Sequence, residues 1–245
     1  MFTVLAMVTV LLWFYQARQE LFVLATITCD LDRAKISVAM GAEINPEQIL
    51  DPTIQYPGSA ALASKCDATL SYLIEQGLHE TSSNPNHAPY LHQAVSFDYL
   101  DGFKSLIAAG FAVEAKDKRG RTTLFKAIET KKIVWLKTLI EHKARVNVLS
   151  ASGDNPLALS TILGEPEMIK LLLKAGANPN PQGSNALCPI SLTLIANSDK
   201  HLDAAQILLD AGATLNCPGK LPMNVLEKAK AEGLTEHVEI FSKHQ

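Results

Sequence analysis

The chain has 245 residues, 47% of them hydrophobic, with a net charge of −3 at pH 7 and 6% aromatics. That is enough apolar material for a large core. The near-balanced charge excludes bulk attraction to nucleic acid, and the few aromatics exclude stacking platforms for bases.

Met1 to Tyr15 (MFTVLAMVTVLLWFY) carries no charged side chain and is apolar on every face of a helix. Trp13 and Tyr15 fall where an interfacial aromatic belt would sit, just before Gln16 and Arg18. This pattern predicts an uncleaved, single-pass membrane anchor over residues 1–17, at the short end of the usual length of about 20. A cleaved signal peptide lacks its basic leader and small-residue site here; a buried N-terminal helix is the other alternative. No Lys or Arg precedes the segment, and Arg18, Arg33 and Lys35 follow it. The positive-inside rule then places residues 18–245 in the cytoplasm, with a periplasmic or other extracytoplasmic placement as the alternative. Cys29, Cys66, Cys188 and Cys217 are scattered without a framework and read as reduced, buried thiols, Cys188 with Cys217 being the pair to test.

From about Glu20 onward one segment recurs six times: SVAMGAEIN, LIEQGL, LIAAGFAVE, LIEHKARVN, LLKAGANPN and LLDAGATLN. Its turn positions are Gly41, Gly77, Gly110, Lys143, Gly176 and Gly212, spaced 36, 33, 33, 33 and 36 residues apart. A period near 33 predicts stacked units that bury their apolar faces against neighbours. Two central units align without a gap from Gly120 and from Gly153. In them Leu124, Ala127 and Ile128 form the stripe of a short first helix, and Leu136, Leu139 and Ile140 that of a second. Asn155 with Pro156, and Pro166, mark helix starts; Gly110, Gly176 and Gly212 suit left-handed helix ends. Lys143 replaces that glycine once. The first unit reads with one extra residue around Thr28-Cys29-Asp30. A loop from Pro46 to Tyr56 delays the second unit, and an insertion from Asn197 to Lys200 lengthens the helix–helix turn of the sixth.

These units resemble the ankyrin repeat. Pro89-Tyr90-Leu91-His92, Thr122-Thr123-Leu124-Phe125 and Asn155-Pro156-Leu157-Ala158 stand at the family's Thr-Pro-Leu-His site. Ala42-Glu43-Ile44-Asn45, Ala144-Arg145-Val146-Asn147, Ala177-Asn178-Pro179-Asn180 and Ala213-Thr214-Leu215-Asn216 match its ending. The resemblance implies an all-α, ankyrin-type solenoid of six to seven helix-turn-helix repeats behind an N-terminal hydrophobic helix. The repeats fall at about 20–45, 57–80, 88–114, 120–147, 153–180 and 187–216, with a capping unit at 222–243. It also implies a non-catalytic module that binds a protein partner through its loop tips and the concave first-helix face.

Between Lys116 and Lys137 stand eight basic residues and two acids, a net +6 that leaves −9 for the rest. By alignment Lys118, Arg119, Arg121, Lys126 and Lys131 map to the family's binding face, a patch suited to an acidic partner; the bland reading is a solvated surface. Lys137 falls on the outer helix. His92, Gln93 and Tyr99, beside the loop Ser82 to Pro89, form a second stretch on that face, with Tyr99 either an interface anchor or a packed ring. Trp135, Leu91, Leu124 and Leu157 read as core. The histidines lack a metal-ligand pattern, no phosphate-binding loop or nucleophile elbow occurs, and Cys29 has no nameable base, so neither enzyme activity nor a cofactor or metal is expected. A second function reading is an extracytoplasmic inhibitor or immunity-type protein that neutralises a partner enzyme.

Overall fold

A computed structural model of the chain describes residues 2–46, 56–80, 88–183, 185–196 and 198–244, with only the backbone described for residues 2–10. The loop predicted over Pro46–Tyr56, most of Ser82–Pro89 and the side chains at the start of the apolar segment therefore lie outside the described residues.

Helices come in pairs. A long α1 (Phe2–Ile27) pairs with α2 (Leu31–Ala39), α3 (Pro57–Ala63) with α4 (Asp67–Glu75), and α5 (Tyr90–Ser96) with α6 (Leu100–Ala108). Then come α7 (Thr123–Glu129) with α8 (Ile133–Glu141), and α9 (Pro156–Ile162) with α10 (Pro166–Lys174). Next α11 (Pro189–Leu192), prolonged by a 3-10 turn over Thr193–Ile195, pairs with α12 (Asp199–Asp210). A short antiparallel ribbon, β1 (Asn216–Cys217) and β2 (Met223–Asn224), precedes the last pair, α13 (Val225–Ala231) and α14 (Thr235–Ser242).

The local chemistry explains the starts and stops. Asn155 caps α9 by accepting from the Ala158 amide at 2.8 Å, with Pro156 behind it at the first helical position. Gly176 ends α10 at φ +90°, its amide bonding to Leu173 O and that of Ala177 to Leu172 O. Lys143 takes the same left-handed turn at φ +63° and keeps both equivalent bonds, to Ile140 O and Leu139 O. The missing glycine costs about 1 kcal/mol of backbone strain there without changing the cap.

A second ladder, illegible in the sequence, sets the helix–helix turns. Cys29, Lys65, Asp98, Lys131 and Gly164 all have φ between 54° and 60°, each twelve residues ahead of Gly41, Gly77, Gly110, Lys143 and Gly176. The first unit therefore has no extra residue at Thr28-Cys29-Asp30, and that expectation is corrected. The insertion expected to lengthen the helix–helix turn of the sixth unit is corrected too: of its residues, Asp199 and Lys200 open α12, which has 12 residues where α8 and α10 have 9.

The chain divides into two compact units, Met1–Ala112 and Val113–Gln245. In the first, α1, α3 and α5 pack in succession, as do α2, α4 and α6, around Phe22, Leu62, Leu70, Leu73, Tyr90, Leu91 and Phe103. In the second, α7, α9 and α11 form one row and α8, α10, α12 and α14 the other, around Leu124, Phe125, Trp135, Leu136, Leu157 and Phe241. Leu91, Leu124 and Leu157 are each 1% exposed or less, as the stripe predicts.

Polar rungs tie successive repeats together. Asn147 Nδ2 donates to Gly176 O at 2.7 Å while its Oδ1 accepts from the Asn178 amide at 2.8 Å. Asn180 does the same with Gly212 O and Thr214 N, and Asn45 with Gly77 O and His79 N. The terminal Asn of the repeat ending is thus a cross-repeat clip, satisfying a helix-end carbonyl that would otherwise lack a partner.

The reduced-thiol expectation is overturned. Cys29 is bonded to Cys66 and Cys188 to Cys217, with Cα–Cα separations of 5.5 and 5.8 Å. Equivalent positions of neighbouring repeats would lie too far apart, but these pairs are not equivalent positions. Cys29 sits in the turn of the first repeat and Cys66 caps the second helix of the next. Cys188 caps α11 and Cys217 lies in β1.

Candidate protein-interaction face

In the second unit the basic cluster begins in a tight hairpin. Lys116 and Thr122 form an antiparallel bridge, and the Asp117 carboxylate accepts the Arg119 and Arg121 amides, both at 2.8 Å. This Asx-type turn pushes Lys118 and Arg119 to an exposed tip. The Arg119 carbonyl accepts from the Ala151 amide at 2.8 Å, so the tip is propped on the next hairpin.

Arg121 turns the other way. Its guanidinium bonds to Glu129 at 2.7 Å and to Asp154 at 2.9 Å, and lies 5.8 Å from the Phe125 ring centre. Burial opposes ionisation of Asp154, but hydrogen bonds from Ser152 and Arg121 outweigh it and hold the carboxyl below its usual range. Lys126 lies 3.6 Å from Glu129, and Lys131 reaches Glu165 at 3.1 Å and Leu163 O at 3.3 Å in the next repeat. Of the five cations mapped to the binding face, Arg121 and Lys131 thus bridge repeats and Lys126 pairs within its helix. Lys118 and Arg119 project from the tip. Lys137 is exposed on α8, the second helix, as expected.

Beside this cluster lies a feature that reading for charge missed. Thirty-three residues on from Lys126 and Glu129 stand Leu159 and Ile162, and after another such step Leu192 and Ile195. Ile162 and Ile195 are exposed, Ile195 by 60%. The signal was available as a comparison of equivalent positions between repeats, not within any one of them. Behind the hairpins a cavity of about 310 Å³ is lined by Val146, Val148, Leu149, Leu157, Pro181 and Gln182 among others. No group of His, Cys, Asp or Glu among the described residues is placed to hold a metal ion.

The first unit places the other three predicted residues differently. His92 and Tyr99 are buried; the Tyr99 hydroxyl donates to the Asp67 carboxylate and its ring lies against Gly102, where a side chain would collide with it. Tyr99 is a packed ring. Burial, then the Asp67 carboxylate, raises the phenol above its ordinary range. Gln93 remains half-exposed, its amide donating to Ala88 O at 2.7 Å.

The family model "Ankyrin repeats (3 copies)" matches residues 91–183. Those residues are ankyrin repeats. Rabankyrin-5 of Mus musculus is 28% identical over 215 residues, covering 76% of this chain and 18% of that protein. A putative ankyrin repeat-containing protein of Treponema pallidum (strain Nichols) is 30% identical over 132 residues, covering 54% of this chain and 43% of that one. The chain thus spans less than half the length of these curated relatives. The crystal structure of the ankyrin repeat domain of Bcl-3 superposes with a TM-score of 0.75 over 91% of this chain and 97% of that one, at 19% identity, a likeness of fold. Ankyrin repeats generally bind protein partners, and this chain is an ankyrin-repeat interaction module.

Proposed function

We propose that the chain binds one protein partner through the tip and first-helix face of its second unit, while held at a membrane in an oxidising compartment outside the cytoplasm. The observation that carries the binding half is exposed charge and apolar surface on a braced face. Arg121, Lys126 and Lys131 form ion pairs on that face, Lys118 and Arg119 are exposed at the hairpin tip, and Ile162 and Ile195 are exposed on the first-helix side of the next two repeats. A rigid surface loses little freedom on association, so shape and charge complementarity there convert into affinity.

The compartment reading rests on the two disulfides, which persist outside the reducing cytoplasm. It reverses the topology suggested by the positive-inside rule. Arg18, one of the charges behind that suggestion, is engaged on the Met40 carbonyl at 2.7 Å within the fold. The membrane half rests on the uncharged segment 1–15 and on exposed Leu11 to Phe14. Among the described residues no helix is long and apolar enough to cross a membrane. The extracytoplasmic side also favours the second reading, in which the partner is an enzyme that the module neutralises; for this, fold-level analogy supplies the rest.

The test is a photo-crosslinker placed at Arg119 in the full chain, expressed in its own cells. A discrete protein adduct is expected, with Lys118→Glu lowering its yield and leaving the melting temperature unchanged. An adduct that forms equally with Lys118→Glu, or no protein adduct at all, contradicts the binding face. Stoichiometric loss of turnover by an adducted enzyme would select the inhibitor reading.

A further inference from the structure

Helix α1 runs unbroken from Phe2 to Ile27, yet its surroundings change along the way. From Leu11 to Phe14 four consecutive side chains are exposed, Leu11 by 66% and Trp13 by 65%. Consecutive helical residues point about 100° apart, so this exposure covers the whole circumference. A protein groove covers one side of such a helix, whereas hydrocarbon covers all of it.

Below Phe14 the helix acquires two sides. On one, Tyr15 bonds to Glu43 at 3.1 Å, Arg18 to Met40 O at 2.7 Å, and Gln19 exchanges two bonds with the Glu43 backbone at 3.2 and 2.8 Å. On the other, Trp13, Ala17, Leu21 and Leu24 follow one another at helical spacing, and Leu21 and Leu24 are exposed. The apolar surface of the arm therefore continues down the edge of the first repeat, with Glu20 beside it on α1 and exposed Asp32, Arg33 and Lys35 around Ile36 on α2. On α2, Ile36 is exposed, although its counterpart Thr138 is buried, as is Thr123, the counterpart of Leu21. At this edge of the first repeat it is Leu21 and Ile36 that face outward.

Among the described residues no helix, α1 included, is long and apolar enough to cross a membrane. We propose that the α1 arm enters one leaflet obliquely and that the edge of the first repeat, Leu21, Leu24 and Ile36, rests at the acyl–headgroup boundary of a phospholipid bilayer. This rests on the membrane-bound reading above and adds to it a depth and a contacting edge. The first unit has five basic and eleven acidic side chains, a net −6, so attraction to anionic lipid does not drive the contact. Zwitterionic phosphatidylcholine suffices, and binding is insensitive to salt.

The test uses the full chain carrying Trp135→Phe, which leaves Trp13 as its single tryptophan, with phosphatidylcholine vesicles brominated at successive acyl depths. Trp13 is expected to be quenched most by shallow bromines. Leu21→Glu with Ile36→Glu is expected to weaken vesicle binding by about tenfold or more. Both positions are exposed, and an unchanged circular dichroism melt confirms the fold. Val134→Glu, exposed on α8, is expected to leave binding as it was. Deepest quenching at the bilayer centre, or undiminished binding of the double variant, overturns the leaflet-and-edge geometry while leaving the tether standing. Absence of vesicle binding overturns both, and a lipid-free dimer crosslinked through Leu12 assigns the apolar surface to a second copy instead.

Discussion

The two halves of the chain build the same repeat with different fastenings. The second unit, net +3, runs its regular repeats on polar rungs: Asn147 and Asn180 clip helix ends, and Arg121, Lys131 and Arg145 reach Asp154, Glu165 and Glu114. The first unit, net −6, has the Asn45 clip and the Tyr99–Asp67 hydrogen bond between repeats, while its Arg33–Asp30 ion pair lies within one repeat. Each unit also carries one covalent link. Cys29–Cys66 spans the first 36-residue step and Cys188–Cys217 spans the insertion of the second. Asparagine clips span regular and slipped steps alike, and each slipped step carries a disulfide in addition. A stack gains stability only from nearest neighbours, so an irregular junction is where an added cross-link contributes most.

The largest expected effects test whether the two halves share one core logic. Leu124→Ala and Leu91→Ala occupy equivalent sites and are each expected to cost about 2–5 kcal/mol in denaturant unfolding. A loss confined to one of them breaks the equivalence. Next, Cys29→Ser is expected to cost about 2–4 kcal/mol and to act on the first unit. Amide exchange should accelerate in α1 to α4 while α7 to α10 keep their protection; uniform acceleration would deny the two units separate fastenings.

Asn147→Ala is expected to cost about 1–2 kcal/mol, because it strands the Gly176 carbonyl and the Asn178 amide. The smallest effect is at the last helix pair. Burial pushes the His237 imidazole below its usual value, although the Thr193 carbonyl, 3.0 Å from Nε2, opposes the shift. The neutral ring is favoured in the folded state, so its contribution is present above the unfolded value of about 6.5 and is lost as pH falls through the lower folded value. Melting temperatures between pH 7 and pH 5 should fall less steeply in His237→Gln; an identical slope removes His237 from the account.

The sequence made the fold legible because its signals are chemical and local. Glycine at a left-handed helix end, Asn-Pro at a helix start and leucines at i, i+3 and i+4 each imply one geometry. The inner ladder of turns was hidden because Cys29, Lys65, Asp98 and Lys131 adopt a conformation their residue types do not advertise. The disulfides were hidden because spacing along the chain says nothing about non-equivalent positions brought together by a slipped repeat. At the interaction face, charge was legible and its use was not. Arg121 and Lys118 look alike in sequence, but one bridges repeats to Asp154 while the other projects from a hairpin tip. The apolar positions Ile162 and Ile195 show only when equivalent residues of successive repeats are compared.

The central claim is that the stack departs from its period twice and is stapled at both departures. The most direct measurement is peptide mapping by mass spectrometry of the full chain, alkylated under native conditions and digested without reduction. The account predicts two linked peptide pairs, Cys29 with Cys66 and Cys188 with Cys217, and no alkylated cysteine. Four alkylated thiols, or any other pairing, would contradict it.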